Sequence, residues 1–342
     1  MNRTCFARHA GAAVAVALLA AAGPVLADAP AYKVEARIAG PDGGWDFAQI
    51  DAAGGKLYVA RSNAVMAVDL ASRQAATLAP ANGAHQVLPI DGGKTIAETD
   101  GKTDLTRFID AASGQVLAEV PSGKKPDAAF YDAATNRVVV MSPGSSTVTQ
   151  IDAASRKVVN SFALAGGLEY GAAAGNGRAF INLEEANALA EVDLKAGKLL
   201  RKIALPGCDG PTGLALVAGG TRAISACANG VAMVVNTASG KVVGKLAIGR
   251  DPDAVVADEA RGLAFIPCGG SGTLVAISIA DKAHIAVAGT IATQVGAKTA
   301  ALDPRDGRIY LPTATLGQPA PGAKRGKPGP GTFVVLVVAP QR

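Results

Sequence analysis

Residues Ala128–Leu164 read AAFYDAATNRVVVMSPGSSTVTQIDAASRKVVNSFAL. The stretch contains four short strand-like runs and no helical period. Ala128–Tyr131 is a first apolar run, and Asp132–Asn136 is a turn. Arg137–Met141 (RVVVM) is a second run, dense in β-branched residues that fit a pleated surface. Pro143–Ser146 forms a loop, and Thr147–Ile151 is a third run. After the turn Asp152–Ser155, Lys157–Leu164 is the fourth. Asp, Asn and Gly mark the turns because they tolerate left-handed backbone or bond back to local amides.

The same unit recurs in both directions along the chain. Its third strand ends in a polar turn residue at Val65–Asp69 (VMAVD), Thr106–Asp110 (TRFID), Val148–Asp152 (VTQID) and Leu189–Asp193 (LAEVD). Ala232–Asn236 (AMVVN) and Leu274–Ser278 (LVAIS) continue the series. From residue 69 the steps are 41, 42, 41, 43 and 42. A period near 42 with four strands and no helix is the signature of a β-propeller blade. First strands begin near Trp45, His85, Asp127, Glu169, Pro211, Asp253 and Lys298, which counts seven blades. The last repeat lacks a fourth strand, while Lys33–Ile38 (KVEARI) precedes the first repeat and carries the fourth-strand pattern. The expected fold is all-β: a seven-bladed propeller of four-stranded blades, with the N-terminal strand completing the last blade beside residues 333–338. Residues 28–342 then form one domain. Within it, residues 316–331, with nine Gly or Pro in 16, form an inserted loop expected to be mobile above the ligand face. Its Lys324, Arg325 and Lys327 make it locally basic.

Composition limits the function classes. Apolar residues make up 49% of the chain, which excludes bulk disorder. The formal charge is +5, falling to +3 once Arg3 and Arg8 are set aside with a leader. So weak a charge gives little drive toward nucleic acid. Residues 1–27 read as a secretory signal: Arg3 and Arg8, an apolar Gly11–Gly23, and a small-residue cleavage site ending at Ala27. The mature chain is therefore expected to be periplasmic, monomeric and without a membrane span. Cys5 leaves with the leader. Of Cys208, Cys227 and Cys268, the first two flank one pair of adjacent strands at the same end, and a Cys208–Cys227 disulfide is expected with Cys268 left over.

The chain resembles the YVTN-repeat β-propeller proteins, the YncE-like family of exported bacterial proteins, over residues 33–338. The likeness rests on Leu57-Tyr-Val-Ala-Arg61, Ile109-Asp-Ala-Ala-Ser-Gly114, Val235-Asn-Thr-Ala-Ser-Gly240 and Arg308-Ile-Tyr-Leu-Pro312. The literal tetrapeptide is absent; Leu57–Arg61, Ala179–Leu183 and Leu263–Cys268 stand in its place. The resemblance implies a fold and leaves activity open, since related propellers include sugar lactonases and haem-binding domains.

Chemistry should sit on the face where fourth-to-first connections and second-to-third loops emerge. The strand starts bring Asp46, His85, Lys125, Asp127, Glu169, Asp209, Thr212, Asp253 and Lys298 there, and the loops add Glu184. The leading expectation is a non-catalytic module that captures a protein, peptide or small molecule on this funnel face. A metal-assisted hydrolase such as a lactonase is the alternative, with His85, Glu169 and Asp253 as the metal candidates; no other cofactor is expected. A metal or cofactor carrier using His85 and the thiols is the third. His284 falls in a fourth strand, at the outer rim. Asp69, Asp110, Asp152 and Asp193 read as turn formers rather than catalytic groups.

Overall fold

The computed structural model describes residue 1, residues 31–322 and residues 326–341. The expected signal segment, Met1 apart, lies outside the described residues, as do Lys324 and Arg325.

Seven four-stranded antiparallel sheets follow one another along the chain as the blades of a propeller. Blade 3 shows the plan: Ala129–Asp132, Arg137–Ser142, Thr147–Asp152 and Lys157–Ala163 pair in sequence order. Blade 7 is made from both ends of the chain. Its order is Ala301–Leu302, Ile309–Thr313, Val334–Pro340 and then Tyr32–Ala39. Tyr32 pairs with Pro340 and Ala39 with Val334, so the N-terminal strand supplies the missing outer strand. That pairing covers the edge of Val334–Pro340 and gives blade 7 the same four-stranded build as the other six, with Tyr32–Ala39 as its outer strand.

The core is divided in seven, one apolar cluster at each contact between neighbouring blades. Leu88, Ala97 and Phe108 of blade 2 meet Ala129, Val138 and Val140 of blade 3, for example. Successive strand residues point to opposite faces of a blade, and each face is covered by a neighbour. Central strands are therefore apolar on both faces, which is why RVVVM reads as an unbroken run. Burying each such Val or Leu is worth roughly 1.5–3 kcal/mol.

The lower turns are self-contained. Asp69 Oδ1 accepts from the amides of Ala71 and Ser72 and from the Ser72 hydroxyl. Asp110 repeats this with Ala112 and Ser113. Asp152 accepts from Ser155, and Asp193 from Lys195 and Ala196. Hydrogen bonds from their own turns hold all four carboxyls below the usual aspartate range.

Every outer strand carries one break in register, an irregularity the sequence pattern does not announce. It leaves Leu117, Val159, Leu200, Val243 and Ala288 unpaired in blades 2–6, Leu78 in blade 1 and Glu35 in blade 7.

The inserted segment is tied down where it is described. Leu316 bridges to Pro328, the Gly317 amide donates to the Lys327 carbonyl, and the Gly331 amide donates to Asp42. Cys208 and Cys227 are joined as a disulfide, with Cα atoms 5.5 Å apart, and Cys268 is free and buried.

Candidate functional site

One position repeats at the top of each first strand: Asp46, His85, Asp127, Glu169, Thr212, Asp253 and Lys298. A local distortion aims several of these side chains. In blades 1, 2, 4 and 5 the pairing of first and second strands skips between Trp45 and Ala48, Ala84 and Val87, Leu168 and Gly171, and Pro211 and Leu214. Each skip brackets a ring residue and its follower. Bulges re-aim side chains in this way at functional rims.

Buried side chains of first and second strands bond backbone groups around the ring. Thr99 Oγ1 accepts from the Gln86 amide at 2.9 Å and donates to the Asp127 carbonyl at 2.6 Å. Asn182 donates to the carbonyls of Thr212 and Gly213, and Ser225 donates to Asn182. Thr212 donates to the Pro252 carbonyl, and Thr299 to the Asp46 carbonyl. Each of these bonds to a ring residue's backbone spans two blades, so the ring is braced from one blade to the next. At Gly213 a Cβ would lie 2.5 Å from the Ala254 backbone, so the approach of blades 5 and 6 requires glycine there.

Phe47 and Tyr170, from blades 1 and 4, meet with ring centroids 5.1 Å apart, and Gln49 donates to the Tyr170 hydroxyl. Phe47 also lines the cavity above. The result is a cup of about 350 Å³, lined by ring residues Asp46, Asp127, Glu169, Thr212, Asp253 and Lys298, with Glu184, Asp251, Ala228 and Pro252 completing its wall. Its size suits a small molecule.

Six carboxyl groups and one ammonium thus line the cup. Lys298 is shared: it pairs with Asp253 and lies 3.5 Å from Asp46 Oδ1. Asp46 Oδ2 is 2.7 Å from His85 Nδ1, and Asp127 Oδ1 is 3.6 Å from the same nitrogen. Hydrogen bonding to Asp46 lifts the His85 imidazole to about 9 against the opposing effect of burial, so it is an imidazolium at neutral pH. Burial would raise Asp46, but Lys298 and His85 outweigh it and hold this carboxyl low. Burial, then the Asp46 charge, pushes Asp127 up to about 6. Glu169 is pushed furthest, to about 10, by burial and then by Asp253, Asp127 and Glu184.

Of the residues singled out from sequence, Asp46, Asp127, Glu169, Glu184, Thr212, Asp253 and Lys298 line the cup, and His85 adjoins it through the two aspartates. Lys125 and Asp209 are exposed and are not among its lining residues. The donor atoms of His85, Asp46 and Asp127, neighbours in blade order, lie within 4.8 Å of one another, and Glu169 and Asp253 are outside that group. The disulfide removes two of the three thiols from any soft-metal set, and burial pushes the Cys268 thiol up to about 11. Phe47, Ala228 and Pro252 were not foreseen, nor was the contact of Phe47 with Tyr170. Arg61, at the end of a second strand on this face, is structural: it stacks 3.5 Å from the Phe333 ring centre and donates to the carbonyls of Pro41, Gly43 and Gly44.

No family model and no curated protein sequence matches the chain. Solved structures do. A chain of the Kuenenia stuttgartiensis hydrazine synthase aligns with a TM-score of 0.68 at 13% identity, covering 78% of this chain and 92% of that one. The U3-55K structure aligns with a TM-score of 0.73, also at 13% identity, covering 92% and 99%. At such identity the likeness establishes the seven-bladed propeller and carries no activity with it. Among the described residues, no helix is long and apolar enough to cross a membrane.

Proposed function

We propose that this chain is an exported, YncE-like binding module whose funnel captures a small molecule bearing a cationic group. The observation that supports this reading is the acidic lining of the cup: six carboxyl groups stand against the Lys298 ammonium, which pairs with Asp253 and Asp46, and the His85 imidazolium beside Asp46 and Asp127. An amine entering there would favour the ionised form of Glu169, which burial and then the charges of Asp253, Asp127 and Glu184 now disfavour. The aromatic floor of Phe47 offers an apolar or cation–π surface to the rest of such a ligand. The Cys208–Cys227 disulfide fits an oxidising compartment.

Calorimetric titration with putrescine, agmatine and citrate, in the presence of chelator, tests the reading. The two amines should bind saturably and more weakly as salt rises, and citrate should not bind. Replacing Glu169 and Asp253 together by Gln and Asn should weaken amine binding at least about tenfold. Equal binding of citrate, or no effect of the double substitution, would overturn it. A metal-assisted hydrolase is the second reading, favoured only by the His85–Asp46 pair. Its mark would be lactone hydrolysis that a chelator abolishes.

A further inference from the structure

We propose that Asp46, His85 and Asp127 form a binding site for one first-row divalent cation of the zinc class in the wall of the funnel. The site deepens the reading of the funnel as a cation receptor and rests on it. The three side chains come from the ring positions of three consecutive blades, and one ligand atom from each lies within 4.8 Å of the other two.

Their arrangement around the imidazole is the first argument. Nδ1 of His85 faces two carboxylate oxygens, at 2.7 Å and 3.6 Å. A single proton on that nitrogen can bond only one of them. It goes to Asp46, and Asp127 is left beyond hydrogen-bond reach. A dication held by the same nitrogen would engage both oxygens at once.

The donor set is the second argument. Imidazole with two carboxylates suits zinc, cobalt or nickel, whereas calcium seeks six to eight oxygens. The supports are the third, because metal ligands hold their place through the groups behind them. Buried Thr99 and Thr299 pin the backbones of Asp127 and Asp46. Gly101 makes room for the imidazole, since a Cβ there would fall 2.8 Å from its Cδ2 and Nε2. Asp46 divides its oxygens, Oδ1 toward Lys298 and Oδ2 toward the site, so the lysine fixes the carboxylate without occupying the ligand atom. All three groups are only partly buried, which leaves an ion a path from solvent.

The test uses the full mature chain, stripped with chelator and titrated with Zn²⁺ by calorimetry and with Co²⁺ by visible absorption. One equivalent of each should bind, with Co²⁺ developing the ligand-field bands of an ordered nitrogen–oxygen site. His85→Ala should weaken binding at least ~100-fold, more than the loss typical of a supporting partner. Asp209→Asn, which removes an exposed rim carboxylate, should leave it unchanged. If His85→Ala does not fold, Asp127→Asn takes its place with the same expected loss. Absence of a saturable equivalent, or undiminished binding by the folded variant, overturns the site. Amine titration in chelator is independent of this result, so failure of the metal site and failure of the amine-binding reading can be told apart.

Discussion

The two ends of the propeller use the same residue type in opposite ways. At the lower turns, Asp69, Asp110, Asp152 and Asp193 are each surrounded by amides and hydroxyls of their own turn, and their carboxyls are held low. At the funnel, Asp127 and Glu169 face other carboxylates in a partly closed cup and are pushed high. The lower acids serve the strand connections and are satisfied within them. Burial, and then the charges of neighbouring acids, disfavour the ionised forms of Asp127 and Glu169 more than Lys298 and His85 favour them.

The largest perturbation breaks the frame that both ends share. Removing Tyr32–Ala39 leaves Val334–Pro340 with an unpaired edge, and the melting temperature should fall by more than about 10 °C. A variant melting close to the parent would show that closure of blade 7 does not hold the ring. Next in size is the covalent tie, which belongs to the upper end. Replacing Cys208 and Cys227 by Ser should cost about 3 kcal/mol in the chain-entropy model. Hydrogen exchange should rise around residues 207–213 and 227–231 while the lower turns keep their protection. Uniform loosening would erase the distinction between the ends.

The sharper comparison has opposite signs. Glu169 has a folded-state value raised above its unfolded one. The stability it contributes is full below the unfolded value near 4.5 and is lost as pH rises toward about 10. Glu169→Gln should therefore raise the melting temperature at pH 8, by ~5 °C, and flatten the decline across that window. Asp152 has its folded-state value lowered, so its contribution is present above the unfolded value and disappears as pH falls below it. Asp152→Ala should lower the melting temperature at pH 8, by only ~1–2 °C. Thermal melts across pH check both, and matching signs would refute the contrast.

How much of this could be read beforehand follows from which contacts are periodic. The turn motif at Asp69, Asp110, Asp152 and Asp193 repeats every 41 or 42 residues, so blade number, closure and the disulfide followed from counting. The ring positions were legible for the same reason. Phe47 against Tyr170 was not, because contacts across a channel join blades 1 and 4 and leave no spacing signature. His85, Glu169 and Asp253 were grouped because all three begin first strands on the funnel face; which of them stand close together follows blade order, and His85 lies beside Asp46 and Asp127. Lys125 precedes its ring position by two residues, and its backbone turns left-handed with φ of 50°, a reversal that a strand pattern does not predict. The bulges that aim Asp46, His85, Glu169 and Thr212 were hidden too, since an extra unpaired residue does not change the order of residues on either side.

The register breaks of the outer strands bear on how molecules of this protein meet one another. Closing the ring leaves seven strands with one backbone edge turned outward. An extended segment of a second chain laid along Lys157–Ala163 would find donors and acceptors in phase up to Val159 and one step out of phase beyond it. The lysines at 157, 198 and 241 stand two residues before the break in their strands, adding a charge that would have to be matched at the point where pairing fails. The break falls at the same height on blades 2–7 and two residues nearer the funnel on blade 1, so an added strand would lose its phase part-way along every blade of a circumference that exposes Val and Leu.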